Sequence, residues 1–137
     1  HPRATLLNAM PNLNVYLVEG FSPQQKKALL ERMTDAVVDS ISAPRASVRI
    51  FLIELAKAQV CVGGRMLDEH AQHGGPTVHA LLVAGRTEAQ KAALIGALTA
   101  VIEETLGVPA DPVRIMIIDI PNTDFGMQGV TARSLGR

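Results

Sequence analysis

The sequence predicts an α/β (α+β) protein: tandem β-α-β units forming a four-stranded sheet with two helices on one face. Three observations predict it. First, the 137-residue chain is 47% hydrophobic and 19% charged, enough apolar content to bury a core and too little charge for a disordered chain. Second, the chain repeats itself at an offset of 65 residues. Pro11 recurs as Pro76, Gly20 as Gly85, Gln25-Lys26 as Gln90-Lys91, Pro44 as Pro109, and Val48-Arg49-Ile50 as Val113-Arg114-Ile115. Third, the patterning inside each copy passes from strand to helix to strand.

In the first copy, Leu13 to Val18 alternates and then turns apolar, as a half-buried strand does, and Gly20 ends it. Ser22 then serves as an N-cap, Pro23 suits the first helical position, and Gln25 completes a capping box. Leu29, Leu30, Met33, Ala36, Val37 and Ile41 fall on one broad helical face. Pro44 closes the helix segment. Val48 to Leu55 is β-branched and apolar, and reads as a buried strand. The second copy runs the same way. Val78 to Val83 is its first strand, Thr87-Glu88-Ala89-Gln90 its capping box, and Gly107 the helix end. Val113 to Ile118 is its second strand. A unit of this length makes parallel strands with a right-handed crossover. Two copies leave one sheet face bare and apolar, which predicts self-association.

The predicted boundaries are an N-terminal extension or tag remnant at 1–10, a first unit at 11–64, a linker at 65–75 and a second unit at 76–137. Gly63-Gly64 and Gly74-Gly75 mark a hairpin and linker. Zero formal net charge and a 3% aromatic content without Trp argue against nucleic acid as a partner. Cys61 is the single cysteine, which excludes an intrachain disulfide and a multi-cysteine zinc site. It reads as a small buried hydrophobe. His70 and His73 have ligand-like spacing but no third partner, so no metal site is expected. Met33, Met66, Met116 and Met127 read as core fillers, and His79 as a packed strand residue. No run approaches the roughly 20 apolar residues of a membrane span, and no leader is visible, so a cytoplasmic protein is expected.

The ordered marks carry a resemblance. Pro11, Val18-Glu19-Gly20, Gln25-Lys26, Pro44, Ser47-Val48-Arg49, Glu54-Leu55-Ala56-Lys57 and Gly63-Gly64 form one set. Pro76, Gly85-Arg86, Gln90-Lys91, Pro109, Val113-Arg114 and Phe125-Gly126 form a second. Together they resemble the 4-oxalocrotonate tautomerase group of the tautomerase superfamily, as a fused, two-unit member. The resemblance implies an isomerase that moves a proton in enol and keto forms of small unsaturated 2-oxo acids, without a cofactor. It also implies a homotrimer, because single-unit members are hexamers.

That chemistry uses an N-terminal proline as general acid–base. A free proline nitrogen is a secondary amine near the α-amino range of about 7.7–8, and an apolar, cation-lined pocket lowers that value. The neutral amine can then carry a proton between two positions on the substrate. An internal proline is a tertiary amide and cannot. Pro76 is therefore excluded, and Pro11 is the catalytic candidate, exposed if Met10 is a start methionine that is removed. If residues 1–10 stay attached, Pro11 is blocked, and a non-catalytic oligomer is the alternative. The resemblance assigns substrate carboxylates to arginines after the first strand and at the start of the second, and an apolar wall to a phenylalanine near the hairpin. Those positions hold Phe21, Arg49 and Val60 in unit one, and Arg86, Arg114 and Phe125 in unit two. A composite site of Pro11 with Arg86, Arg114 and Phe125 is expected, with a degenerate counterpart near Pro76 and Arg49. Dehalogenase-type relatives need a carboxylate where Val62 and Met127 stand. Decarboxylase-type relatives need one where Ser47 and Pro112 stand. Both activities remain only as promiscuous alternatives.

Overall fold

The computed structural model describes residues 11–69 and 75–137. The extension at 1–10, His70 and His73 lie outside the described residues. The first unit runs β1 (Asn12–Val18), α1 (Pro23–Ile41), β2 (Arg49–Leu55) and a hairpin of β3 (Cys61–Val62) and β4 (Arg65–Met66). The second runs β5 (Thr77–Val83), α2 (Glu88–Leu106), β6 (Arg114–Ile120) and a hairpin of β7 (Gly126–Met127) and β8 (Val130–Thr131). Every strand and helix recurs at the 65-residue offset. The first hairpin continues past Gly64, so β4 and the turn Leu67–Glu69 fall in the segment read as a linker.

Both helices start as their sequences demand. The Ser22 hydroxyl accepts the Gln25 N–H at 3.1 Å while the Gln25 side chain accepts the Ser22 N–H at 3.0 Å. Thr87 and Gln90 repeat the exchange at 3.1 and 2.9 Å. The helix ends differ. Gly107 takes the left-handed conformation at φ 68°, whereas Ser42 takes it at φ 54° with a side chain attached. An ion pair also repeats. Lys26 of α1 meets Glu54 of β2 at 3.0 Å, and Lys91 of α2 meets Asp119 of β6.

The sheet order is β2-β1-β5-β6. β1 and β2 are parallel, as are β5 and β6. The units join through an antiparallel β1–β5 pair in which Asn14 faces His79, its own repeat counterpart. The units are therefore related by a pseudo-twofold axis through that pair. Tyr16 packs edge-on to His79 with ring centroids 5.0 Å apart. Leu13, Val15 and Leu17 of β1 and Val78, Ala80 and Leu82 of β5 point to the helices and are buried with Leu29, Met33, Leu94, Leu98 and Ile102.

The other sheet face is not covered within the chain. Phe51 of β2 is 55% exposed, and Met116 and Ile118 of β6 are 47% and 43% exposed. The strands read as fully buried are thus buried on one face only. A continuous apolar run is the same whether a strand's second face is covered by its own helix or by another chain. Met116 lies on this face and is not a core filler, while Met33 is. Cys61 is exposed rather than buried, because β3 belongs to a two-stranded ribbon outside the core cluster.

Candidate active site

Strand direction decides which candidate residues can meet. The starts of β1 and β2 lie at one end of the sheet. Because β5 and β6 run opposite to β1, their C-terminal ends lie there too. Pro11, Arg49, Arg86 and the β7–β8 hairpin with Phe125 therefore share one end. Pro76, Arg114, Phe21 and the β3–β4 hairpin share the other. Seven-residue strands separate the two ends by about 20 Å.

Pro11 is buried, and its carbonyl accepts the Arg49 N–H at 3.1 Å. Pro76 and Arg114 repeat that bond at 3.2 Å. The expected grouping is thus rearranged within one chain: Arg49 belongs with Pro11, and Arg114 with Pro76. The parallel pairing within each unit sets these two groupings, and the antiparallel pairing of β1 with β5, which the sequence does not reveal, puts them at opposite ends of the sheet.

A cleft of about 520 Å³ opens at the Pro11 end. Unit one lines it with Asn12, Ala46, Ser47 and Arg49, and unit two with Phe125, Gly126, Met127, Gln128 and Arg137. The described lining holds two guanidinium-bearing residues and no carboxylate side chain. The hairpin is held over the cleft by its own backbone: the Ala132 N–H donates to the Phe125 carbonyl at 2.8 Å, and the Arg133 N–H to Asn122 at 3.0 Å. Gln128 occupies the left-handed region at φ 56°, where the first hairpin has Gly63 at φ 60°. With Gly129 at φ 80° it forms the two-residue turn between β7 and β8, which requires positive φ at both positions, so a side chain there costs about 1–2 kcal/mol as a demand of the turn.

The predicted arginines differ in setting. Arg49 is exposed at the cleft. Arg86 is 8% exposed and does not line it. One of its terminal N–H groups donates to the Val83 carbonyl at 2.9 Å. Burial lowers its pKa from the ordinary arginine value, and the negative charge of Asp119 works against that shift. At the far end, the Arg114 guanidinium donates to the carbonyls of Asp111 and Val113. Sequence reasoning missed Asn12, Ser47, Gln128 and Arg137 as lining residues. The exchange of Gly63 for Gln128 between the repeats is the signal that could have found one of them.

Among the described residues no cluster of three or more His, Cys, Asp or Glu could hold a metal ion, and no helix is long and apolar enough to cross a membrane.

The comparisons with known proteins bear on the family and the fold. A sequence model described as "Tautomerase enzyme" matches residues 11–70 and again 76–133. The 2-hydroxymuconate tautomerase of Comamonas testosteroni is 39% identical over 55 residues, 40% of this chain and 87% of that protein. The crystal structure of a native fused 4-OT is 47% identical, with a TM-score of 0.89 over 92% of this chain and 99% of the other. A wild-type fused 4-OT described as an asymmetric trimer is 46% identical, with a TM-score of 0.86 over the same shares.

Proposed function

The chain belongs to the tautomerase family, and from that premise we propose that it is an isomerase acting on small unsaturated 2-oxo acids through the nitrogen of Pro11. The reading requires Pro11 to be the first residue of the working protein. Its nitrogen is then a secondary amine beside an arginine-lined cleft, with Arg86 adding positive charge at the same sheet end. Both influences favour the neutral amine. That amine takes the enol hydroxyl proton, the electron pair moves through the conjugated system, and the resulting ammonium returns the proton to a substrate carbon. The amine ends as it began, so no cofactor is needed.

What supports the reading is a cleft at the Pro11 end of the sheet that joins Asn12 and Arg49 of unit one to Phe125 of unit two; Pro11 does not itself line it, but it precedes Asn12 and its carbonyl accepts the Arg49 N–H. Arg49 is the carboxylate partner and Phe125 the apolar wall. Arg114 serves a Pro11 site only when supplied by another chain, since its own chain holds it at the far end. The proposed assembly is a homotrimer, like the trimeric fused relative, with the bare face bearing Phe51 and Met116 as the contact. One cleft per chain then works, because Pro76 cannot be a base and Val60 stands where Phe125 stands in the other unit.

Covalent labelling tests the base directly. A 3-halopropiolate should modify a chain beginning at Pro11 once, with the adduct mapped to the Pro11 nitrogen by mass spectrometry. An unlabelled Pro11 nitrogen in that form would favour the non-catalytic oligomer.

A further inference from the structure

The bare sheet face is apolar at its edges and polar along its middle. Phe51 on β2 and Met116 and Ile118 on β6 stand exposed at the two edges. Strand alternation puts Asn14 and Tyr16 of β1 and Thr77 and His79 of β5 on the same face between them. All four are half-buried. His79 lies at the pseudo-twofold axis, with Asn14 opposite it on β1 and Met116 opposite it on β6.

This face has no carboxylate to answer a positive charge. The described strands hold two, Glu54 and Asp119, and both turn to the helix side, where they pair with Lys26 and Lys91. The titratable and charged groups that share the face with His79 are Tyr16, Arg114 and Arg49. The Tyr16 ring meets the imidazole edge-on at 5.0 Å. Arg114 is one alternation away along β6, opposite Thr77, and Arg49 is on the far strand, opposite Asn12. A second copy of this face brings the same groups again, and still no carboxylate.

We propose that the contact between copies of this chain closes only while His79 is neutral, which makes assembly at the bare face a pH-sensitive device. This rests on the reading of that face as the trimer contact. An imidazole ordinarily gains its proton near pH 6.5. In separate chains, water solvates the imidazolium. In the closed contact the cation is desolvated, meets no opposite charge and shares the surface with guanidinium groups, all of which disfavour it. The assembled state therefore binds fewer protons than the separate chains. Association is complete above the imidazole range and is lost as the pH falls through it. Each chain of a trimer contributes one such imidazole, so the association constant should fall by up to about a thousandfold for each pH unit below that range.

Sedimentation velocity on the full chain, at about pH 7.5 and about pH 5.5, reads the assembly on either side of the imidazole range, with far-ultraviolet circular dichroism recording the fold. The wild type should be trimeric at the higher pH and dissociate at the lower one with its helix signal kept. His79→Gln, which puts a neutral amide where the first unit has Asn14, should stay trimeric at both. His79→Lys, charged throughout, should be dissociated at both. A wild type trimeric at both pH values, a His79→Gln variant that dissociates or unfolds alongside the wild type, or a His79→Lys trimer as tight as the wild type overturns the proposal and leaves the contact standing. A wild type already monomeric at the higher pH, or a Phe51→Asp variant that stays trimeric there, refutes the contact itself and the proposal with it.

Discussion

Phe51→Asp is expected to dissociate the assembly while leaving the fold of each chain in place. Phe51 is 55% exposed and stands on the sheet face opposite the helices, beside Asn14 on the neighbouring strand. An aromatic side chain offers about 200 Å² of surface, so about 110 Å² waits to be covered. At about 25 cal/mol per Å² that is worth about 2.7 kcal/mol per copy, or about 8 kcal/mol for a trimer with three copies. The aspartate adds the cost of desolvating a charge at the contact. Ile50 and Leu52, the neighbours that pack on the core, are untouched, so far-ultraviolet circular dichroism should hardly change. Sedimentation velocity across a dilution series reads the result. The wild type should remain trimeric where Phe51→Asp sediments as a monomer. A variant that stays trimeric at the same dilutions would refute the bare face as the contact.

Other substitutions probe the local physics. Ser22→Ala and Thr87→Ala should each cost about 1 kcal/mol by thermal or denaturant unfolding, because each removes the acceptor for a helical N–H. Ser42→Gly should stabilise the chain by about 0.5–1 kcal/mol, since it puts at φ 54° the residue that the second helix already uses in that place. Arg49→Gln should lower kcat/KM for a 2-oxo acid by about ten- to hundredfold in a Pro11-first form, as expected when one charge-assisted carboxylate contact is lost.

Much of the fold could be read from the repeat. A capping box at Ser22 and another at Thr87 locate both helix starts, because cap chemistry is local. Parallel pairing of β1 with β2 follows from the length of the crossover. The antiparallel β1–β5 seam could not be read, since nothing in either strand's own pattern names its neighbour across units. That seam decides the site. It carries the start of β1 to the end of β5 and so brings Arg86, rather than Arg114, to the end where the parallel β1–β2 pair already sets Arg49 beside Pro11. Motif position also differs from side-chain direction: Arg86 fills the family's arginine position, yet its guanidinium turns inward to Val83. Arg137 carries no motif, and its approach to the cleft depends on how the last turn folds back on Ala132 and Asn122. Cys61 and Met116 were misplaced for one reason. Apolar character shows that a side chain gains from burial, and not which surface supplies it.

The central claim is that the Pro11 nitrogen is the base. Turnover of 2-hydroxymuconate by two forms of the chain, residues 1–137 and residues 11–137, tests it most directly, with Pro11→Ala in the shorter form as the third arm. Turnover by the form beginning at Pro11, and its loss both when the preceding residues remain attached and when alanine replaces the proline, is the predicted result. Equal turnover by the two wild-type forms, or full turnover by Pro11→Ala, would contradict it.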